Sequence, residues 1–294
     1  MSENGVSGST VPRRQLGRYL RDLRGKARLT VKAAAEALEW SEAKIWRIET
    51  GQTSMRSLDV EQICRVYGAP DDLREALMGL AKETKGRGWW HAYGDVIPDG
   101  FDLYIGLEES ASQLCSYSSE LVPGLLQTEA YARTLIRADN AGVSDEEIER
   151  RVHVRIARQA LLTRVTATPT IEVMLNEAVL CRPVGGTAVM ADQLETLAEV
   201  ADHPNVSIRV IPFKAGLHHG LMTGPFVILR FPTNGDGREA EPPTVYVDNI
   251  TGALYLDKPH EIERYHGVFQ AIHGVALNDE QSKRRILIAA RELE

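Results

Sequence analysis

The feature that most constrains this fold is a run of three short helix patterns between residues 15 and 51. The first pattern, QLGRYLRDLRGK, repeats apolar side chains at the spacing of one helix face: Leu16, Tyr19, Leu20 and Leu23. Thr30 can cap the second pattern, VKAAAEAL, whose small alanines allow another helix to approach closely. Ser41 can cap the third pattern, and Gly51 ends it. A tight turn at Glu39 and Trp40 joins the last two helices, so the stretch predicts a helix-turn-helix.

The third helix has an inward and an outward face. Ile45 and Ile48 recur at helical spacing and point inward, which leaves these residues on the outward side: Glu42, Ala43, Lys44 and Arg47. A recognition helix offers this side to the major groove of double-stranded DNA. We therefore predict that this face contacts base edges, with Lys44 and Arg47 most naturally bound to guanine.

The neighbours of these residues leave alternatives open. Glu42 either accepts a hydrogen bond from cytosine or only complements the positive N-terminus of its helix. Ser41 is predicted to meet a phosphate or a thymine methyl group. Trp40 and Trp46 are predicted to be packing residues, because a protein that reads the major groove needs no intercalating wedge.

The charge of the chain is divided unevenly. Residues 1–56 hold 11 basic and 6 acidic side chains, a balance of +5, so the remainder carries −12 within a total of −7. A basic module on an acidic body is typical of a protein that meets phosphate at one end only. Arg14, Arg18 and Lys32 are predicted to contact phosphates. The alternative is that the first helix is only a solvated charged face.

The motifs LGRYLRDLR, LTVKAAAEAL and SEAKIWRIETG resemble the lambda-repressor-like (XRE) helix-turn-helix family. The resemblance implies an ion pair between an arginine of the first helix and the glutamate before the final glycine, here Arg24 and Glu49. The family usually has glycine in the turn, where this chain has Glu39. We therefore expect a strained or altered turn. Two further helix patterns, residues 57–67 and 70–82, complete a predicted all-α module of five helices.

Length and composition predict two domains. A chain of 294 residues suits one small domain and one larger domain. We predict a disordered tail over residues 1–10, the helix-turn-helix domain over 11–82, a polar glycine-bearing linker over 83–88 and a second domain over 89–294. The apolar residues 89–91 are expected to dock on the second domain.

The pattern of apolar residues changes in the second domain. Short β-branched segments bounded by proline, glycine or asparagine predict strands at 170–175, 206–211, 225–231 and 244–247. A helix running into a strand is expected over 108–119, and helices over 129–138, from Ser144 onward, and over 188–201, 258–272 and 279–294. This order predicts an α+β domain with a small antiparallel or mixed sheet covered by helices.

The sequence shows no recognisable set of catalytic residues. The chain has no phosphate-binding or nucleophile-elbow motif, and Glu177 is expected to form a structural pair with Arg182. His218 and His219 are adjacent on a loop without other ligands at suitable spacing, which disfavours a metal site. We expect no enzyme activity, no cofactor and no metal.

The three scattered cysteines are predicted to be buried. Without a long apolar run or a signal peptide, the chain is expected to be cytoplasmic, associated with the nucleoid and not with a membrane.

A second resemblance covers most of the chain. The strings VPGLLQTEAYAR, RIARQALL, IEVMLNEAVLCRPVGG and ALNDEQSKRRI resemble the C-terminal domain of actinobacterial XRE regulators. That domain is one of unknown function, also named Scr-type antitoxin-like, and occurs in developmental regulators of the WhiJ type. The resemblance implies a DNA-binding regulator whose C-terminal domain engages a small BldB-like partner protein.

The predicted function is therefore a transcriptional regulator, expected to be a homodimeric repressor or activator, whose second domain binds a partner protein or ligand. Contacts to that partner are predicted at Gln127, Arg155, Arg158 and Gln159. One alternative is an antitoxin-like protein that neutralises a neighbouring gene product. Another is a nucleotide-handling enzyme tethered to DNA, with Arg155, Glu177 and His218 converging. A buried Glu177 in an open pocket would favour the enzyme, and a Glu177 paired with arginine would not.

Overall fold

The computed structural model describes residues 9–86, 88–98, 100–233, 239, 241–250 and 252–293. The chain divides into two compact units. The N-terminal unit comprises the residues up to Gly94 together with Pro98–Ser110. The C-terminal unit comprises Asp95–Ile97 and the residues from Ala111 onward.

The N-terminal unit is helical and confirms the predicted five-helix module. Its helices are α1 (Thr10–Lys26), α2 (Val31–Leu38), α3 (Glu42–Glu49), α4 (Ser57–Val66), α5 (Asp71–Glu83) and α6 (Phe101–Ser110). One apolar core joins the first five helices, with contributions that include Leu16, Leu20, Ala34, Leu38, Ile45, Ile48, Val60, Ile63 and Leu77. Tyr19, which was predicted to share the apolar face of α1, is exposed instead.

The edges of this unit differ from the predicted boundaries. Helix α1 begins at Thr10, and Ser9 and Thr10 are buried, so these two residues do not belong to a tail. Residues 1–8 of the predicted tail and Arg87 of the predicted linker lie outside the described residues. Helix α6 packs on α1, because Gly106 has no side chain to collide with Thr10. By their contacts, residues 89–94 and α6 group with the first unit. The predicted domain boundary at residues 83–88 remains a prediction.

The C-terminal unit contains a mixed six-stranded sheet, as the α+β prediction required. Its strands are β1 (Gln113–Ser118), β2 (Thr170–Asn176), β3 (Val206–Ile211), β4 (Phe226–Arg230), β5 (Thr244–Val247) and β6 (Leu254–Leu256), in the order β3-β2-β1-β4-β5-β6. Strands β1, β2 and β3 are parallel, and β4, β5 and β6 continue the sheet in antiparallel pairs. Strand β6 was not predicted, because three residues carry too little alternation to be recognised.

Helices connect the parallel strands and cover the sheet. They are α7 (Glu129–Asp139), α8 (Asp145–Ala157), α9 (Ala160–Thr163), α10 (Ala178–Cys181), α11 (Thr187–Val200), α12 (His219–Thr223), α13 (Pro259–Val275) and α14 (Asp279–Arg291). Parallel neighbours need such crossovers, since their ends lie at opposite edges of the sheet. Phe269 and Ile272 of α13 pack on alternate strand residues, including Tyr117, Met174 and Phe226. Within the described residues, no helix has both the length and the apolar character needed to span a membrane.

The cysteines do not all follow the prediction of burial. Cys64 and Cys115 are buried, and burial raises the pKa of the Cys64 thiol to about 11 and that of Cys115 to about 12. Cys181 is exposed at the end of α10, so the prediction was wrong for this residue.

Candidate functional site

Side-chain caps fix the N-terminal ends of the two short helices α2 and α3 in the helix-turn-helix. The Thr30 hydroxyl accepts a hydrogen bond from the Ala33 N–H at 3.1 Å, and the Ser41 hydroxyl accepts one from the Lys44 N–H at 3.2 Å. Both caps were predicted, since a hydroxyl at this position satisfies a backbone donor that the helix leaves unpaired. Gly51, with a φ of +75°, allows the chain to turn away after α3.

The outward face of α3 is not quite the predicted one. Ile45 and Ile48 are buried, as expected, while the exposed residues of the helix are Glu42, Ala43, Trp46 and Arg47. Trp46 is 54% exposed, so its prediction as a packing residue was wrong. Its position four residues after Glu42 and three after Ala43 places it on the same helical face, and this spacing could have identified it from the sequence.

Lys44 lies at the edge of this face rather than on it. Its side chain is half-buried, and its ammonium nitrogen lies 3.3 Å from the centroid of the Trp40 ring, a cation–π contact. Trp40 itself packs against the core of the unit, as predicted. A contact between Lys44 and a base remains a prediction, and it would require the amine to leave the ring.

Helix α3 is held against α1 by two close contacts. Arg24 and Glu49, the pair that the family resemblance implied, form two parallel bonds, with Arg24 Nε to Glu49 Oε1 at 2.6 Å and Nη2 to Oε2 at 2.8 Å. The carboxylate raises the pKa of the Arg24 guanidinium, mainly through these hydrogen bonds. A Cβ at Gly17 would lie 2.5 Å from the Ile48 carbonyl oxygen, so only glycine lets α1 come this close.

The basic residues of α1 do not all face solvent. Arg14 is 5% exposed and lies against Gly51, so it lacks the exposure that a phosphate contact needs, which corrects that prediction. Arg13 Nε donates to the Thr84 carbonyl at 3.0 Å, and burial lowers the pKa of its guanidinium. Arg18 is half-buried and Lys32 is exposed, so both remain predicted phosphate contacts.

The turn before α3 carries the strain that the sequence suggested. Glu39 has a φ of +56° and a ψ of +38°, the left-handed conformation that glycine adopts at lower cost. We expect Glu39→Gly to stabilise the N-terminal unit by about 0.5–1 kcal/mol, since it removes the clash of Cβ with the backbone. The matched control is Glu36→Gly within α2, which is expected to destabilise by about 1 kcal/mol. Urea unfolding followed by tryptophan fluorescence measures both changes, and an equal loss for both variants would contradict the prediction.

The four predicted partner contacts lie together in the C-terminal unit, and three of them, Gln127, Arg155 and Gln159, bond to one another. Arg155 Nη1 donates to Gln127 Oε1 at 2.9 Å, and Gln159 Nε2 donates to the Gln127 carbonyl at 2.6 Å. Gln127 and Arg158 are buried, and burial beside Arg158 lowers the pKa of Arg155 to about 10. These side chains therefore brace the loop before α7. A contact between these residues and a partner remains a prediction.

The Glu177 carboxylate is engaged by two hydrogen-bond donors. Its two carboxylate oxygens accept hydrogen bonds from Arg285 Nε and from the Phe213 N–H, each at 2.6 Å. The predicted pair with Arg182 is not formed, because Arg182 bonds to Glu120 instead. His218 is buried while His219 is exposed, so these adjacent side chains do not converge on one point.

Two known protein families match this chain, one in each part. Residues 15–77 match a helix-turn-helix domain, which together with the exposed face of α3 supports a DNA-binding regulator. Comparison with curated proteins and with solved structures gives no significant match. Residues 101–287 match the domain of unknown function DUF5753. Because this match covers more than half of the 294 residues, the protein belongs to the DUF5753 family.

Proposed function

We propose that the protein is a sequence-specific transcriptional regulator that inserts helix α3 into the major groove of its operator. The observation that carries the proposal is the outward face of α3, where Ala43, Trp46 and Arg47 are exposed. Ile45 and Ile48 anchor the opposite face, and the Arg24–Glu49 pair fixes the end of the helix. A recognition helix needs both a free face and a rigid support.

The face suits a defined set of DNA contacts. Arg47 offers the planar donor group that binds guanine O6 and N7, while Ala43 and Trp46 offer apolar surface to a thymine methyl group. Lys32 and Arg18 supply positive charge beside the helix-turn-helix, where phosphates flank the groove. The excess of basic residues in the first 56 residues favours the same orientation, since the rest of the chain is acidic.

We further propose that the protein binds as a homodimer on an inverted repeat. Helix α3 has 8 residues, and one helix of this length contacts too few bases for specific binding. Two copies related by a two-fold axis would place two such helices about one helical turn of DNA apart.

In this proposal the C-terminal unit acts by binding and not by catalysis. It engages a small BldB-like partner protein or a ligand, as the family resemblance implies, and this changes DNA affinity. Such an effect requires that the effector bind the DNA-competent and incompetent states differently. The ion pair between Glu177 and Arg285 supports a binding role over the enzyme alternative, because it occupies the carboxylate that the enzyme alternative would use.

The proposal is tested by selecting binding sites for the full chain from random duplex DNA. We expect enrichment of an inverted repeat and a steep decrease of affinity with salt, because each neutralised phosphate releases counterions. Analytical ultracentrifugation with the selected duplex measures how many protein chains bind. Folded protein that enriches no motif would contradict sequence-specific binding, and a single chain on one half-site would contradict the dimer.

A further inference from the structure

A cavity of about 220 Å³ lies where three parallel strands of the C-terminal unit end. The register pairs the last residues of β2 and β3, and β1 runs beside β2 in the same direction, so the carboxyl ends share one sheet edge. Residues that follow each strand line the cavity: Ser119 and Glu120 after β1, Asn176 and Ala178 at the end of β2, and Phe213 and His218 after β3. This edge is where sheets with parallel strands commonly bind ligands.

Two buried polar groups at this edge have no hydrogen-bond partner among the described residues. They are the Nδ1 atom of His218, a residue 7% exposed, and the hydroxyl of Tyr117, which is 1% exposed. The other imidazole nitrogen of His218, Nε2, lies 3.3 Å from Asn176 Nδ2. Because the Asn176 amide is the donor in this contact, the neutral imidazole carries its proton on Nδ1. The Nδ1–H of His218 is thus a buried donor that nothing in the described chain satisfies.

The local sequence explains how His218 reaches this position. Gly216 has a φ of +65°, which lets the loop turn back toward the sheet after β3. A Cβ at Gly220 would lie 2.5 Å from Tyr117 Cζ, so a glycine is needed for the loop to pack on the tyrosine ring. The Tyr117 and His218 rings meet edge to face with centroids 6.0 Å apart. The two glycines of GLHHG therefore place His218 over the strand ends.

The charges around the cavity favour an uncharged occupant. Burial lowers the pKa of His218, and the neighbouring His219 lowers it further. Burial raises the pKa of the Tyr117 hydroxyl, an effect that the nearby Asn176 amide opposes. Both groups are therefore neutral at pH 7. Glu120 is exposed and already paired with Arg182, so among the described residues that line the cavity none carries an unpaired formal charge.

The rim of the cavity is apolar and exposed. Phe213 is 61% exposed and Leu221 is 52% exposed, and both line the opening. Leu217 and Met222 lie in the same segment and are also exposed. An apolar body that covered Phe213 and Leu221 would remove apolar surface from water.

We propose that this cavity binds a small uncharged molecule that presents a carbonyl-type acceptor to His218 and an apolar body to Phe213 and Leu221. The volume corresponds to about seven water molecules, which is enough for one substituted ring. The binding itself does not depend on DNA. A role of the bound molecule as the effector that changes DNA affinity rests on the proposed function.

The test uses benzamide as the probe and the full chain labelled with ¹³C in its histidine rings. Benzamide has an amide carbonyl on a flat apolar ring, and benzoate and benzamidinium are anionic and cationic controls of the same shape. We expect a saturable shift of the His218 resonance with benzamide and binding at least about tenfold weaker for either charged control, because a buried charge would lack a partner. The His218 signal is assigned as the one missing in His218→Phe.

Three variants test whether benzamide binds in the cavity or elsewhere on the protein. Ala178→Phe is expected to fill the cavity and abolish benzamide binding while it leaves His218 in place. His218→Phe is expected to weaken binding about tenfold, and His219→Phe, a change at the exposed neighbour, is expected to have no effect. Binding that survives Ala178→Phe, equal binding of all three probes, or no saturable shift in folded wild-type protein would each overturn the proposal. Because DNA is absent from this experiment, its outcome is independent of whether the protein is a regulator.

Discussion

Replacing Arg47 with alanine is expected to reduce affinity for the selected operator by about a hundredfold. A bidentate contact between arginine and guanine contributes about 1–3 kcal/mol, and a dimer carries two copies of the contact. Arg47 is exposed on α3, and no partner within the N-terminal unit competes for its guanidinium among the described residues. The preference at the corresponding base pair should relax at the same time. Quantitative binding to the operator and to all single-base variants of it measures both effects.

Two matched variants show whether Arg47 reads sequence or only adds charge. Lys32→Ala removes the same charge from the exposed face of α2, and it is expected to weaken all duplexes about equally and to reduce the salt slope by about two, one for each copy in the dimer. Trp46→Ala leaves the charge unchanged and is expected to relax a preference for thymine. If Arg47→Ala weakened every sequence equally, its role as a base contact would be refuted.

Removing the carboxylate of Glu49 is expected to cost the N-terminal unit about 3 kcal/mol of folding free energy. Glu49→Ala leaves the partly buried Arg24 guanidinium with the Leu29 carbonyl, which accepts from Nη1 at 2.9 Å, but without an opposite charge. Breaking a buried pair on one side is costly, because the remaining ion is neither solvated nor compensated. All four tryptophans, Trp40, Trp46, Trp89 and Trp90, belong to the N-terminal unit. Their fluorescence in a urea titration therefore reports the unfolding of this unit alone.

The control for Glu49 removes both charges. The double variant Arg24→Met with Glu49→Leu is expected to recover most of the lost stability, since an apolar pair of similar volume leaves no uncompensated ion. If Glu49→Ala cost less than about 0.5 kcal/mol, the ion pair would behave as an ordinary surface pair. In that case core packing and the close contact at Gly17, and not the ion pair, would hold α3 in position.

Local patterns were sufficient for most of the helices and for the recognition helix in particular. Thr30 and Ser41 cap their helices because hydroxyl capping depends only on residues within one turn. The buried positions Ile45 and Ile48 follow from helical spacing. Strands β2 to β5 were located by their β-branched and aromatic residues. Strand β1, QLCSYS, has no β-branched residue, and its central place in the sheet is decided by pairing with β2 and β4.

The candidate site was predicted less completely, because exposure and pairing depend on distant parts of the chain. Arg14 carries the same charge as Lys32, yet its position against Gly51 buries it. Glu177 has Arg182 nearby in sequence, but the fold brings Arg285 to its carboxylate. The buried residues Asn176 and His218 are 42 positions apart and meet only when β2 and the loop after β3 reach the same sheet edge.

The sequence by itself determined the helix-turn-helix, the unequal distribution of charge and the presence of a helix-covered sheet. These properties arise from helical or strand periodicity and from composition, which are encoded within short windows of residues. Tertiary structure alone decided that α6 packs with the first unit, that Arg14 is buried and that the cavity beside His218 is lined by the ends of three strands. Each of these depends on contacts between residues far apart in the chain, where packing and burial, and not local preference, determine which side chains remain free.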